Sequence, residues 1–327
     1  MKEQEIRPKD IFHEYLRLSE SDAKICFPKE KRYKIDCPAC QSSNLRDEFE
    51  KNSFDYVSCI RCNSLFLSPR PSEKSFDEFY KDSKSSKYWA ENFFPATAES
   101  RRAKIFIPRV KRLNKLCNEM GFNPSIVMDI GAGYGIFLEE WRKIASNSRV
   151  IGVEPSKHLA DICRKKDIEV IEEVAEDVEG FDGMVDLLVC FEVLEHIHSP
   201  IDFIKKLHKL IKPGGYILLS TLTIDGFDLQ VLWDKSDSIS PPHHINFFSI
   251  KGFNALLSGC GFKDINIFTP GVLDVDIVKN AILKNPEIIK NHRFLKKIIN
   301  DDLLSESFQD YLSKNKLSSH AWIMAKK

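Results

Sequence analysis

The segment Val127-Met128-Asp129-Ile130-Gly131-Ala132-Gly133-Tyr134-Gly135 constrains this chain more than any other stretch of it. A short apolar run ends in an acid, three glycines follow at alternate positions, and Ile136–Ala145 then has helical spacing. Glycine reaches positive φ without a Cβ clash and lets backbone approach a ligand closely. The helix behind the loop opens with unpaired N–H groups. Strand, glycine turn and helix in that order form the ligand-binding corner of an open α/β sheet. The spacing is Gly-x-Gly-x-Gly, and Asp129 stands two residues before the first glycine. A carboxylate there repels a pyrophosphate and welcomes an ammonium group, which separates this loop from a dinucleotide-binding one.

From residue 123 onward short apolar runs alternate with amphipathic stretches. Strands are expected over 125–129, 149–153, 168–171, 186–191 and 216–221, with helices over 136–145 and 157–166 between them. Ser199 is an expected N-cap with Pro200 at the first helical position, and Ser249 is expected to cap a helix over 250–258. Final strands are expected at 263–268 and 321–325. Continuous apolar strands alternating with helices predict a parallel sheet covered on both faces. The second strand ends Gly152-Val153-Glu154-Pro155, where Glu154 can accept two hydrogen bonds from a ribose diol. The resulting division is 1–68, 69–120 (a helical linker or lid) and 121–327, with a polar helical insertion over 273–316.

Four of nine cysteines form two tight pairs, Cys37/Cys40 and Cys59/Cys62, separated by 18 residues. Two Cys-x-x-Cys knuckles at this spacing read as one four-thiolate zinc site within a ribbon at 33–68, and such a closed site is structural. Two redox pairs are the alternative. Lysine plus arginine and aspartate plus glutamate each number 48, so the net charge is zero, which argues against a dedicated nucleic-acid binder. No apolar run approaches the roughly 20 residues of a membrane span, and the charged start of the chain lacks a signal-peptide core. A cytoplasmic protein is the expectation.

Two histidine segments carry the remaining chemistry. Phe191-Glu192-Val193-Leu194-Glu195-His196 follows the buried strand over 186–191, and Pro241-Pro242-His243-His244 lies in a loop beyond the strand over 216–221. His196, His243 and His244 are candidate proton acceptors, with Glu192 and Glu195 placed to orient them. Packing of His243 and His244 on Phe247 and Phe248 is the alternative. Trp233 and Asp234 are expected along the same wall.

Asp129–Gly135, Glu154, Asp186–His196 and the turn Lys212-Pro213-Gly214-Gly215 occur in order, and over about residues 121–270 the chain resembles the class I S-adenosylmethionine (SAM)-dependent methyltransferases. The resemblance implies a Rossmann-like seven-stranded methyltransferase sheet with SAM at the carboxyl ends of its strands. Carried over, Gly131 and Gly133 face the methionine part and Glu154 holds the ribose. Ala132, Gly135, Pro155 and Phe191 line the same site, and Ala175 and Glu176 stand at the adenine position. The Glu192–His196 segment is similar to that of the ubiquinone-biosynthesis O-methyltransferases, which implies a divalent ion such as Mg²⁺ on Glu192, Glu195 and His196. A metal-free pocket with His196 as base, and a purely structural loop, are the other two readings. The ribbon ahead of this domain, with Phe79-Tyr80 and Ser85–Trp89 after it, resembles bacterial sugar methyltransferases with an N-terminal zinc domain. That implies a saccharide or nucleotide-sugar acceptor, in surface-polysaccharide or secondary metabolism. An RNA methyltransferase, drawing on the basic stretches 101–115 and 284–297, and a non-catalytic SAM-binding scaffold are the competing readings.

Overall fold

The computed structural model describes residues 1–327. Its strands are β1 (Leu45–Lys51), β2 (Phe54–Cys59), β3 (Leu65–Leu67), β4 (Ile126–Ile130), β5 (Arg149–Val153), β6 (Glu169–Ile171), β7 (Val185–Phe191), β8 (Ile211–Leu222), β9 (Asn246–Phe247), β10 (Lys263–Phe268) and β11 (His320–Lys326). Seven of them form one sheet in the order β10-β11-β8-β7-β4-β5-β6. Every pairing from β6 through β8 is parallel, and β11 enters antiparallel between β8 and β10. The strand order reverses direction between β4 and β7, and the crevice beyond the carboxyl ends at such a point is where open α/β sheets bind ligands.

Alternate residues of these strands feed two separate cores, as the two-residue period of a strand requires. Met128, Ile130, Ile151, Leu188, Cys190, Ile217, Leu219 and Ile323 face one layer. Val127, Leu187, Val189, Leu218, Trp322 and Met324 face the other. Burial of each large side chain contributes about 1.5–3 kcal/mol. Helices cover both faces, which explains why the strands read as continuous apolar runs. No helix is long and apolar enough to cross a membrane.

The remaining strands make a four-stranded antiparallel sheet, β1-β2-β3-β9. Its last member belongs to the long connection after β8, so the cysteine-bearing segment and the histidine loop share one sheet. The helix Lys9–Cys26 and the helical run from Glu73 to Glu119 close over this side of the molecule. Within that run Arg102 bridges to Glu139 and Glu140 of the helix Ile136–Ile144, Tyr134 donates to the Ala90 carbonyl at 2.7 Å, and Phe94 stacks on Tyr134 at 4.3 Å. The helical cover is thereby fastened to the helix that follows the glycine loop.

Between β10 and β11 run the helices Asp274–Lys284, Arg293–Ile299 and Asp302–Lys314. They dock on Phe227–Leu232 through a pair of buried acids. Asp274 accepts from the Ser318 hydroxyl at 2.6 Å, the Ser319 N–H at 2.6 Å and the Gln309 amide at 2.8 Å. Asp228 is 0% exposed beside it, and burial, followed by the charge of Asp274, pushes its carboxyl pKa up. A folded-state pKa above the unfolded value of about 3.9 means that this stability is fully present at low pH. It is lost as pH rises from about 4 toward the raised folded value. Asp228→Asn is therefore expected to flatten the fall of stability with pH and to add about 1–3 kcal/mol at pH 8. Urea melts at pH 5 and pH 8 check this, and a variant that follows the wild-type pH slope would count against it.

Candidate active site

The glycine loop leaves β4 with Gly131, Gly133 and Gly135 at φ of 73°, 54° and 65°. Gly131 and Ala132 both donate to the Val153 carbonyl, at 2.8 and 3.1 Å, which pins the loop to the end of β5. A Cβ at Gly131 would lie 2.7 Å from the Val193 side chain, so the turn after β7 touches the loop directly. Glu154, 6% exposed, follows β5. One of its oxygens accepts the Gly133 N–H at 2.8 Å and the other the Ser156 N–H at 3.0 Å. Burial raises its pKa, and these two donors oppose the rise. Each oxygen keeps a lone pair for a hydroxyl of a vicinal diol.

Asp129 is 3% exposed, and its Oδ1 meets no hydrogen-bond partner. Burial holds its carboxyl well above the usual range, against the pull of Arg109. An orphaned buried carboxyl oxygen beside a positive-φ glycine loop fits an ammonium donor. Ala132 and Phe191 are buried in this corner, Pro155 is exposed at its rim, and Glu176 is exposed on the turn Ala175–Asp177 beyond β6. A diol acceptor, an ammonium acceptor and a loop open to close approach are what SAM needs from a protein, and these residues fit it.

Across the crevice three imidazoles cluster. His196 lies on the turn Leu194–His196, and its ring centroid is 4.9 Å from that of His244 and 6.5 Å from that of His243. The His244 Nδ1 lies 2.6 Å from the Ser238 carbonyl, which can only accept. That nitrogen carries the proton, and Nε2 keeps its lone pair. The Tyr80 hydroxyl donates to the His243 carbonyl at 3.3 Å and lies 3.2 Å from His196 Nδ1. Tyr80 thereby ties His196 to the histidine loop. Both rings are half-buried. Burial pushes His196 down to about 3 and His244 to about 4, so both are neutral over the physiological range.

His243 differs. It is 4% exposed, and its Nε2 lies 3.0 Å from Ser85 Oγ, which donates onward to Asp22 at 2.6 Å. Tyr15 and Phe79 box the ring at 5.2 and 4.9 Å. This imidazole braces the loop. Glu195, 2% exposed, accepts from Thr221 at 2.7 Å, and burial, then the nearby charge of Glu192, pushes its pKa up.

Glu192, close enough for its charge to act on Glu195, is bonded in another direction. It holds a left-handed φ of 55°, and its Oε1 accepts from Ser220 at 2.5 Å, His320 at 3.0 Å and Arg109 at 3.1 Å. Burial would raise its pKa, but His320 and Arg109 outweigh that and hold it well below the usual range. The cation trio expected from sequence, Glu192, Glu195 and His196, does not converge, because Glu192 is spent on this network. The group that does converge is Glu195, His196 and His244, with one donor atom of each within 4.8 Å of the others. Trp233 packs edge-on against Phe49 of β1 at 5.6 Å and against the apolar cluster that holds Ile245 and Phe247, while Asp234 pairs with Lys235.

A family model described as a methyltransferase domain matches residues 98–267, just over half of the chain. The chain belongs to that family. It carries a class I SAM-dependent methyltransferase domain. Among curated relatives, the ubiquinone biosynthesis O-methyltransferase of Pseudomonas aeruginosa is 31% identical over 121 residues, 34% of this chain and 50% of that one. The tRNA U34 carboxymethyltransferase of Shewanella frigidimarina is 28% identical over 207 residues, 59% of this chain and 54% of that one. The chain thus spans about half the length of these relatives. In fold it is similar to the plantazolicin methyltransferase BpumL, solved with a monoazolic desmethylPZN analog and SAH. That match has a TM-score of 0.51 and 14% identity, and covers 77% of this chain and 94% of that one.

On the far side of its histidine loop the chain carries the cysteine cluster. Cys37 and Cys62 sulfurs lie 3.6 Å apart, Cys40 and Cys59 sulfurs 3.5 Å apart, and all four fall within 4.8 Å of one another. A disulfide would need about 2.05 Å. The tetrahedral edge for Zn–S bonds of about 2.3 Å is about 3.8 Å, so the four sulfurs fit one zinc ion. Arg109, Tyr80, Tyr15 and His320 enter the site from segments far away in sequence, and no local spacing marks them.

Proposed function

We propose that this protein is a methyltransferase that passes a methyl group from SAM to a small-molecule acceptor, a saccharide or nucleotide sugar, with His196 and His244 as proton acceptors. The observation that carries this reading is the pair of half-buried imidazoles, 4.9 Å apart, one of them three residues beyond the Val193 side chain that abuts Gly131 of the glycine loop. Bound SAM supplies an electrophilic methyl group on a sulfonium. The residues of the chain do the rest: Glu154 holds the ribose, Asp129 receives the ammonium, and the Gly131–Gly135 loop allows close approach. His196 Nε2 or His244 Nε2 removes the acceptor proton as the new bond forms, and Glu195 sits within reach of the resulting imidazolium. The four cysteine thiolates hold a structural zinc ion that has no part in the transfer.

Charge placement supports a small acceptor over RNA. In the basic stretch 101–115, Arg102 is tied to Glu139 and Glu140 and Arg109 is buried against Glu192. In the second stretch Lys284 pairs with Asp237 and Lys290 with Glu287. Phosphate-tracking surfaces need cations that are free and in a row.

Calorimetric titration with SAM, S-adenosylhomocysteine and NAD⁺, then with a panel of nucleotide sugars in the presence of S-adenosylhomocysteine, tests the proposal. Micromolar SAM binding without NAD⁺ binding is expected. Glu154→Gln sets an amide NH2 against one of the two donors, Gly133 N–H or Ser156 N–H, and should weaken SAM by about tenfold or more. Undiminished SAM affinity in that variant would remove Glu154 from the site. SAM binding with no response to any sugar would turn attention to other metabolites or RNA.

A further inference from the structure

Around the histidine chamber the charges do not balance. The helical cover carries Arg102, Lys104 and Arg109, and each has a carboxylate partner: Glu139 and Glu140, Glu5, and Glu192. Arg101 has none. Its Nε is buried without a hydrogen-bond partner, and its guanidinium lies 5.7 Å from the Phe94 ring. Arg7 likewise forms no ion pair or side-chain hydrogen bond and rests 5.4 Å over Phe12. The contact between the Ser100 hydroxyl and the Glu5 carbonyl brings these two segments together. Arg7 then stands within electrostatic range of Arg101, Tyr15 and His244, and Arg101 within range of Glu192 and Arg109. The nearby acids do not compensate them. Glu192 is already shared by Arg109 and His320, and Asp22 is taken by Ser85. Two half-buried guanidiniums lacking counter-charges, beside neutral imidazoles, are costly unless a ligand brings the missing anion.

We infer that Arg7 and Arg101 clamp an anionic group of the acceptor, a phosphoryl or carboxylate group, and thereby set which atom faces His196 and His244. The inference rests on the methyltransferase reading and narrows its substrate class to acids and phosphorylated compounds. SAM does not supply the missing charge overall: it adds a sulfonium and an ammonium against one carboxylate. Arginine suits the task because its planar fork matches both oxyanions in two-point contacts.

The test is calorimetry on the full chain loaded with S-adenosylhomocysteine, titrated with pyrophosphate in one arm and succinate in the other. Wild type is expected to bind at least one of them, and the preferred arm names the anion. Arg7→Gln and Arg101→Gln should each weaken that binding by about 10- to 100-fold while leaving S-adenosylhomocysteine affinity unchanged, since a charge-assisted hydrogen bond contributes about 1.5–3 kcal/mol. Arg101→Lys, which keeps the charge without the fork, should lose less, and guards against a misfolded glutamine variant. A protein that binds S-adenosylhomocysteine but neither anion overturns the inference and spares the methyltransferase reading. Variants that weaken S-adenosylhomocysteine but not 5′-methylthioadenosine, with anion binding intact, also overturn it, by assigning the guanidiniums to the cofactor's own carboxylate. Failure of wild type to bind S-adenosylhomocysteine defeats the methyltransferase reading itself.

Discussion

Cys37→Ser, or a chelator that strips the proposed zinc ion, is expected to unfold the 33–68 segment and to lower methyl transfer by more than a hundredfold. The first effect follows from size. Three short strands bury too little apolar surface to be stable alone, and a four-thiolate zinc site supplies about 10–16 kcal/mol of folding free energy in comparable small modules. The second follows from where this sheet ends. Strand β3 pairs Leu65 with Phe247 and Phe66 with Asn246, so the ribbon's edge is the backbone next to His244. Tyr56 donates to the His244 carbonyl at 2.6 Å, and Asn52 to the Pro241 carbonyl at 3.1 Å. Arg70, 1% exposed, donates to the His198 carbonyl at 2.6 Å and to Asn246 at 2.8 Å, joining both histidine segments. Loss of this platform frees the loop, and a misplacement of about 1 Å in a positioned group can cost about a hundredfold in rate. Zinc content, thermal melting and turnover measured on the same chelator series check the coupling. A zinc-free Cys37→Ser protein that melts and turns over like wild type would sink both the zinc site and the platform role.

Much of the sheet is legible in the sequence because burial on both faces leaves a local record. Val185–Phe191 is buried at every position, and it reads as an unbroken apolar run. Ser249 is legible as a cap, since its hydroxyl accepts the Gly252 N–H at 2.9 Å. Ser199, in the same kind of position, makes no such bond. Its hydroxyl faces His198 Nδ1 at 3.2 Å instead, a tertiary choice that the cap pattern cannot foresee. The pairing of β3 with β9 and the antiparallel entry of β11 between β8 and β10 are set by contacts across most of the chain, and no local period records them.

The site divides along the same line. The glycine loop and Glu154 are adjacent to the strands that position them, so type and spacing suffice to find them. The histidines are legible as chemistry, but their roles are not. The partner of His243 is Ser85, and that of His196 is Tyr80, each more than a hundred residues away. Glu192 looks in sequence like a companion of Glu195. Its left-handed backbone turns it toward Arg109 and His320, and that separation is what dissolves the expected cation site. Arg101 reads in sequence only as the start of the basic stretch 101–115, and no spacing marks Arg7; the lack of partners around them is a tertiary fact.

His196→Ala and His244→Ala are each expected to lower kcat by about 10²- to 10⁴-fold with SAM affinity preserved, the range that a positioned proton acceptor contributes. The two ring centroids lie 4.9 Å apart, so either ring can compensate in part for the other. The double variant should then lose more than the product of the two single losses. His243→Ala should behave differently, lowering thermal stability through the Asp22–Ser85 brace and disturbing KM and kcat together. The pH profile separates a base from a packing group. An ordinary histidine protonates near 6.5, but burial has moved His196 to about 3 and His244 to about 4. A depressed pKa keeps the proton-accepting form present as pH falls. The profile of kcat/KM, which reports the free enzyme, should therefore stay level from pH 7.5 down to about 5 and fall only below that. An acid limb centred near 6.5 would show that these rings are solvated and that the buried pair is not the base. Unchanged turnover in both single variants and in the double would remove the histidines from the transfer altogether and leave deprotonation to the acceptor's own acidity.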